Sequence, residues 1–481
     1  DGVGFVGDRG TEDPDADRAP VGTAQFVVKN DTGKYSPENA ASPLSPNVVP
    51  RRRIRVRAYR DGVVYDVWKG YIVKYVPNPD HTQETCTILC EDGMGWLSNP
   101  DATIYAPTGA PLNNVKMGAD PGPLDAILDA AVWPAADRDL NEGVDRVAQW
   151  SVSDRTPGNA IQDLMEMEMG LAWISKTGLF TFRDRHARLK GAGLVSQATF
   201  SDTMVGVEYE YGQESVINEV VVSGVERTAG ASEYVWGLAE KGWLAPLETV
   251  EIWATLAKPV SGITTPEANV DYKGNQLEDG TGTDYTASIS VVATQLGQSV
   301  KLEVTNNHAT QSIWIRPGTS DPVETLRIRG TAYVEREVYQ KLSDATSKTA
   351  YGRRARSFRA EFASNKARLR SQAQWILTSR KNPRALYPRL HLVNGSSALL
   401  TQILTRDVGD RITVTVTDLG ITARDYHINK VEHRVSDGGT VHEATWWLEA
   451  VRLVAGVEPT YWRIGTSKIG AGTGARTQIG F

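Results

Sequence analysis

Residues 22–44 read GTAQFVVKNDTGKYSPENAASPL, and no other stretch limits the possible folds of the chain so tightly. Ala24, Phe26 and Val28 alternate with Thr23, Gln25, Val27 and Lys29, the period-2 pattern of a strand packed mainly on one face. Asn30-Asp31-Thr32-Gly33 supplies a turn, with Gly33 free to take positive φ. Pro37 and Pro43 cannot donate to a ladder, so the segment beyond the turn crosses an end of the sheet.

The rest of the composition bounds the answer. A chain of 481 residues exceeds one ordinary core, so two to four domains are expected. A formal charge of −6 argues against a protein whose main task is gripping nucleic acid. No apolar run approaches the roughly 18 residues that span a bilayer, so no stable membrane insertion is expected. The chain begins at Asp1 without Met, so its true start is expected to lie further upstream. Cys86 and Cys90 share a strand face with Cα atoms roughly 13 Å apart. That is too far for a disulfide, and both read as buried apolar residues.

Residues 1–21 are rich in Gly, Asp, Arg and Pro and read as an irregular arm. After the crossover, Arg51, Arg53, Arg55 and Arg57 fall on one strand face while Ile54 and Val56 point inward. This stripe reads as a solvated face or a subunit seam facing carboxylates, with phosphate binding as the alternative. Asp61-Gly62 is a hairpin turn, followed by the strands VVYDVWKGYIVKYVPNP and TCTILCEDGMGWL.

Between 101 and 226 the pattern turns partly helical. Residues 123–132 carry Leu124, Ile127, Leu128 and Ala131 on one stripe. A second helix starts with Thr156 as N-cap and Pro157 at its first position, and Gly170 is expected to stop it. The hairpin LAWIS-KTG-LFTFRDR follows, where Trp173 is expected to pair with Phe180 or Phe182. Residues 227–323 are rich in Thr, Gly, Asn and alternating Val and Ile, the texture of a small inserted β-sandwich. Trp236, Trp243, Trp253 and Trp314 are expected to pack in its core. The longest helix runs from a Ser364 cap to Lys381-Asn382-Pro383, with Leu369, Ala373, Ile376 and Leu377 inward and Lys366, Arg368, Arg370 and Arg380 outward. Strands return after Arg389, and a Gly-rich tail holds Tyr461, Trp462 and Ile464.

Catalytic patterns are weak. His433 and His442 become a cross-strand pair if the turn is Asp437-Gly438, whereas a Gly438-Gly439 turn sets Arg434 against Glu443. No third ligand joins them, since His427 lies about 20 Å up the strand. Glu208 and Glu210 are two acids two apart, a weak glycosidase pattern. The sequence lacks H-E-x-x-H and G-x-S-x-G, and Gly470 to Gly474 lacks the Lys-Ser/Thr of a nucleotide loop.

Taken in order, these segments resemble phage tail baseplate hub proteins. The carriers are G-T-A-x-F…N-x-x-G-x-Y-S-P-x-N-x-x-S-P-L at 22–44, Trp-Lys-Gly-Tyr at 68–71, and the E-D-x-x-x-x-L ending at Leu97. Further on come Glu168, Gly170, Gly178 and Arg183 or Arg185 around the hairpin, then Gly409, Asp410, Arg411, Ile412 and Val414, and the glycines 438 and 439. The resemblance implies a mainly β fold with α+β: two hub-type β-barrels joined by an α/β domain, plus an inserted β-sandwich. The expected divisions are 1–100 (arm and first barrel), 101–226 (α/β, first part), 227–323 (sandwich), 324–390 (α/β, second part), 391–455 (second barrel) and 456–481 (extended arm). It implies a structural virion protein at the tail tip, assembled in the host cytoplasm: a homotrimeric ring that links the distal tail to the tip or fibres. Partners would be the distal tail protein, the tape measure protein and tip or fibre proteins, with DNA in transient passage. No catalytic, cofactor-binding or metal-ligating residue is expected. Arg51, Arg53, Arg55, Arg57, Trp462 and Ile464 are the expected interface residues. The alternatives are a carbohydrate-binding or carbohydrate-active surface protein and a distal tail ring protein.

Overall fold

The computed structural model describes residues 2–12, 18–79, 84–104, 108–110, 115–147, 150–152, 154–201, 206–240, 242–318, 325–360 and 366–451. The fold is mainly β with α+β character. Its largest unit is an 11-stranded sheet. Nine of its strands form one path: Gly206–Gly212, Arg384–Val393, Val441–Ala450, Ile421–Ser436, Gly2–Gly10, Thr23–Lys29, Thr85–Glu91, Val63–Asn78 and Arg53–Arg60. Arg411–Val416 branches from Ile421–Ser436 and carries Thr199–Phe200 on its other side.

The centre of this sheet is a correction to the sequence reading. Residues 2–10 form no irregular arm but a strand, paired antiparallel with Thr23–Lys29 on one side and Ile421–Ser436 on the other. GVGFVGDRG has the small residues that a crowded central position requires. A side chain at Gly10 would stand 2.2 Å from the Asn429 carbonyl, and its φ is +94°. The composition that reads as a loop is here the composition of close backbone approach.

The two sheet halves bury separate cores. Phe5, Trp68, Ile72, Cys86, Ile88 and Cys90 fill the first, and Leu404 enters it from the helix Ser397–Thr405. Leu390, Leu392, Ile412, Val414, Ile428, Val431 and Trp446 fill the second, together with Ile403 from the next position of that helix. One helix therefore plugs both halves. Cys86 and Cys90 are free and buried, as their spacing requires.

A third core gathers the helices Pro123–Ala130, Pro157–Glu168 and Lys366–Arg380 around the hairpin. Thr156 caps the second of these by accepting from the Asn159 N–H, but its left-handed C-cap is Met169 (φ 56°), one residue before the expected Gly170. Trp173 pairs with Thr181 rather than with Phe180 or Phe182, which lie opposite Ile174 and Ala172. In the long helix Leu369, Ala373, Ile376 and Leu377 are inward as expected. Arg380, read as outward, is buried at the last turn, where its carbonyl accepts from the Ile217 N–H. The expected Ser364 cap lies outside the described residues.

A long strand pair, Glu219–Leu238 against Leu326–Ser343, forms the middle of a four-stranded sheet with Val260–Thr264 and Ala355–Ala360, leaves this third core and carries the fourth. Val300, Leu302, Val304, Ile313 and Ile315 are buried there. Trp243 and Trp253 depart from the expected core packing, at 50% and 44% exposed. On their strands they fall on the outer side of the alternation.

Gly10 gives a direct check. Gly10→Ala should destabilise by about 2 kcal/mol or more, since backbone strain and a main-chain clash add. Gly62→Ala, at φ +78° with nothing within 4 Å, should cost about 1 kcal/mol from the backbone term alone. Urea unfolding of both measures the difference; equal losses would mean that the N-terminal strand is not held where described.

Candidate functional site

The N-terminal strand delivers Arg9 to the junction between the two sheet halves. Its guanidinium is 2% exposed. Nε donates to the Asp407 carboxylate at 2.7 Å and Nη1 to the Val67 carbonyl at 2.8 Å. The same carboxylate accepts from the backbone N–H of Val408 (2.8 Å) and of Lys176 (3.3 Å). Lys176, at the hairpin turn of the helical region, sends its ammonium to the Thr405 carbonyl at 2.7 Å. Burial lowers the Lys176 pKa, and Asp407 opposes that shift. One carboxylate thus ties both sheet halves to the α/β region.

Beside this junction sit the two histidines. The turn follows the second of the two expected registers, with Arg434 opposite Glu443. His433 and His442 are then diagonal neighbours and still meet, Nδ1 to Nε2 at 3.0 Å. Both are buried. Burial lowers both pKa values, to about 4 for His442 and well below 6.5 for His433, which also faces the Arg9 charge. The pair is neutral at pH 7, one ring donating to the other. Among the described residues no group of three His, Cys, Asp or Glu could hold a metal ion. Glu208 and Glu210 are both exposed, with a register shift between them.

Of the expected interface residues, four are described. Arg51 precedes the strand in a left-handed turn (φ 65°), stacks over Trp96 at 4.7 Å and reaches Asp101 at 4.0 Å. Arg53, Arg55 and Arg57 are exposed on Arg53–Arg60, the last strand of the sheet path. Arg55 donates twice to Asp66, at 2.7 and 2.8 Å, which raises its pKa. Arg57 lies 3.6 Å from the same carboxylate. Trp462 and Ile464 lie outside the described residues. A cavity of about 530 Å³ opens between the second sheet half and the hairpin, lined by Trp173, Trp375, Arg188, Asn429, His427 and Glu449. Within it Arg188 meets Glu449 at 2.7 Å and Asn429 at 2.6 Å, while the buried Trp173 Nε1, His427 Nδ1 and Asn429 Nδ2 have no hydrogen-bond partner among the described residues.

Solved structures with a related outline exist. The chain is similar to the tail protein from Neisseria meningitidis MC58, at 12% identity over 93% of this chain and 92% of that one, TM-score 0.46. It is similar to the 43 kDa tail protein of prophage MuSo2 from Shewanella oneidensis, at 12% identity over 93% and 94%, TM-score 0.44. It is similar to prophage tail protein gp18 from Listeria monocytogenes EGD-e, at 7% identity over 92% and 87%, TM-score 0.40. All three are tail proteins. No protein-family model matches the sequence, and no curated protein matches it. The readings below rest on this chain's own residues.

Arg9, Asp407 and Lys176 escaped the sequence reading. Asp407 stands two residues before Gly409-Asp410, and Arg9 hides in a Gly-Asp-Arg-Gly tetrad. Neither has a spacing that links them across 398 positions.

Two outcomes follow. Asp407→Ala strands a buried guanidinium and should cost about 3–5 kcal/mol, whereas Arg9→Met leaves a partly exposed carboxylate and should cost clearly less. Denaturant unfolding of each variant orders them. For the histidines, a folded pKa below the unfolded value gives stability that is present above about pH 6.5 and lost as pH falls toward 4. Each contributes at most about 1.4 kcal/mol per pH unit in that window. Asp92, held up to about 8 by burial, acts in the opposite sense, so the readout is a difference. His433→Gln with His442→Gln should unfold with a shallower pH dependence than the parent chain between pH 7 and 5. Parallel curves would refute the neutral pair.

Proposed function

We propose that this chain is a structural hub protein of a phage tail tip, three copies forming a ring that links the distal tail to the tip or fibres and passes DNA. The observation that carries the reading is the order of motifs, from the 22–44 segment to Gly409-Asp410, in a chain whose two barrel-like halves share one sheet. Two halves fused by a common central strand make one long sheet, which suits a wall built from few copies. On this reading the partners are the distal tail, tape measure and tip or fibre proteins, and DNA passes transiently. The chain works in the virion after assembly in the host cytoplasm, without catalysis, metal or cofactor. Its divisions are those set out above, with 227–323 as an inserted module and 456–481, including Trp462 and Ile464, lying on a neighbour. The Arg51–Arg57 stripe belongs to a subunit seam, away from the DNA path.

A specific observation favours a second role for the insert. Trp243 is half exposed and stands directly across from Trp314 on the neighbouring strand. Two indoles at opposed positions of neighbouring strands offer flat apolar area for the apolar face of a sugar. Glycan-array binding by the full chain, lost in Trp243→Ala, would support it.

The hub reading is checked by native mass and by salt-dependent DNA binding. The chain should form trimers or join larger complexes on addition of tail-tube components. Its assembly should hold duplex DNA only weakly near physiological salt, because each phosphate neutralised adds a slope of about −0.9 in log K against log salt. A persistent monomer that ignores tail components would count against it, and micromolar binding near physiological salt, abolished by Arg53→Glu with Arg55→Glu while assembly stays intact, would overturn the placement of the stripe away from the DNA path.

A further inference from the structure

The cavity between the second sheet half and the hairpin has polar walls that the described residues leave partly unsatisfied. Trp173, His427 and Asn429 are 4%, 3% and 1% exposed, yet Trp173 Nε1, His427 Nδ1 and Asn429 Nδ2 lack a hydrogen-bond partner among those residues. Burying a donor unpaired is costly, so such groups usually meet protein, water or ligand. Two of the three can be assigned a direction. A guanidinium only donates, so Arg188 Nη2, 2.6 Å from Asn429 Oδ1, settles the amide and leaves its NH2 end unmatched. An indole N–H likewise only donates. Trp173 and Asn429 therefore both call for an acceptor.

The charges of the wall choose which acceptor. Its three carboxylates are already engaged: Glu449 by Arg188 at 2.7 Å and Arg384 at 2.9 Å, Asp410 by the Asp407 N–H at 3.0 Å, and Asp184 by the His186 N–H at 2.8 Å. Against them stand four cations, Arg183, Arg185, Arg188 and Lys190. Lys190 is exposed and has no ion pair among the described residues. His427 reports the net sign. Burial is the main reason that its pKa is pushed down to about 3; next comes the Arg188 charge, which outweighs the opposing Glu449, and Arg411 adds to it. His186, edge-on to Trp375 at 5.3 Å, is lowered to about 4 by burial and then by Arg185 and Lys190. Unpaired donors in a positive field suit an anion. The rest of the wall is flat and apolar, with Trp173, Trp375 and Leu171, and the Arg183 guanidinium lies 6.0 Å from the Trp173 ring centre.

We propose that this cavity binds a small aromatic carboxylate, its oxygens accepting from the Trp173 and Asn429 N–H groups and its ring packed along the indoles. The exposed Lys190 supplies the counter-charge. His427 Nδ1, donor or acceptor according to tautomer, adapts to a further polar group on the ligand. A volume of about 530 Å³ is within the range of pockets that enclose small molecules. The inference is independent of the hub reading, since the site is built by one copy of the chain and needs no assembly partner.

Titration calorimetry of the full chain with indole-3-acetate tests this, alongside the neutral indole-3-acetamide, the cation tryptamine and inorganic phosphate. Indole-3-acetate should bind with a dissociation constant of about 1 mM or tighter, and each of the other three at least about tenfold more weakly. Lys190→Glu alters only an exposed side chain, so thermal unfolding should match the parent while affinity for indole-3-acetate falls by about tenfold. Asn429→Asp keeps the shape and an acceptor for Arg188 but puts negative charge where the NH2 stood. The preference should then invert, with tryptamine bound better than indole-3-acetate. A disturbed fold would weaken every probe together and would not invert their order. The proposal is overturned if no probe binds up to about 10 mM, the result expected when water or the chain itself fills the cavity. It is equally overturned if the three indoles bind alike, if phosphate matches indole-3-acetate, or if Lys190→Glu leaves the affinity unchanged.

Discussion

A buried cation must find its counter-charge inside the protein, and Arg9 finds it in Asp407, 398 residues away. Desolvating a guanidinium is so unfavourable that the remainder of the arrangement has to respect this contact. It needs the N-terminal strand seated between Thr23–Lys29 and Ile421–Ser436, because only that position brings Arg9 to the Val67 carbonyl and Asp407 together. It needs the hairpin of the α/β region close enough for the Lys176 N–H to share the carboxylate. The first ten residues thereby decide whether the chain has two separate barrel-like halves or one sheet. Ser397–Thr405 reinforces the choice with neighbouring side chains, Ile403 entering one core and Leu404 the other.

Much of this was legible in the sequence where a local signal coincided with the local outcome. The alternation of Ala24, Phe26 and Val28, the Asp61-Gly62 turn, the Thr156 cap and the inner face of Lys366–Arg380 all depend on neighbours within a few positions. The misses share a different cause. Gly2–Gly10 has few apolar residues because its neighbours press on it from both sides, so tertiary crowding overrode the compositional signal. Arg380 is charged yet buried because its helix end bonds to a segment far away in sequence, through the Ile217 N–H. Trp243 and Trp253 are apolar yet exposed because a strand offers alternate positions to opposite faces and hydrophobicity does not say which. The histidine pair shows the limit most clearly: the register that sets Arg434 against Glu443 also brings the two rings together diagonally, which counting opposite pairs omits.

The arginine stripe was visible as a stripe, but the place of Arg53–Arg60 at an end of the main strand path was not. The other end of that path is Gly206–Gly212. Strand order is a property of the whole fold, set by which long-range pairings win, and two segments about 150 positions apart give no local hint that they terminate the same object. The charges at these edges also protect each isolated copy, since exposed ladders invite indiscriminate pairing and charged edge strands discourage it.

The strand pair that carries the fourth core has one more consequence. Glu219–Leu238 and Leu326–Ser343 are paired from Glu219–Ser343 at the root to Leu238–Leu326 near the tip, with register shifts only at 229–232 and 234–236. At the root, Glu219 gathers the ammonium groups of Lys341 and Lys348 and the Arg353 guanidinium. The flank of the pair lies on the long helix, where Leu369 approaches Gly224. An extended strand has no slack to take up, unlike a coiled tether whose ends can drift apart at little cost. The place of the outer module is therefore set by strand pairing that runs back to the Lys366–Arg380 helix, not by a tether.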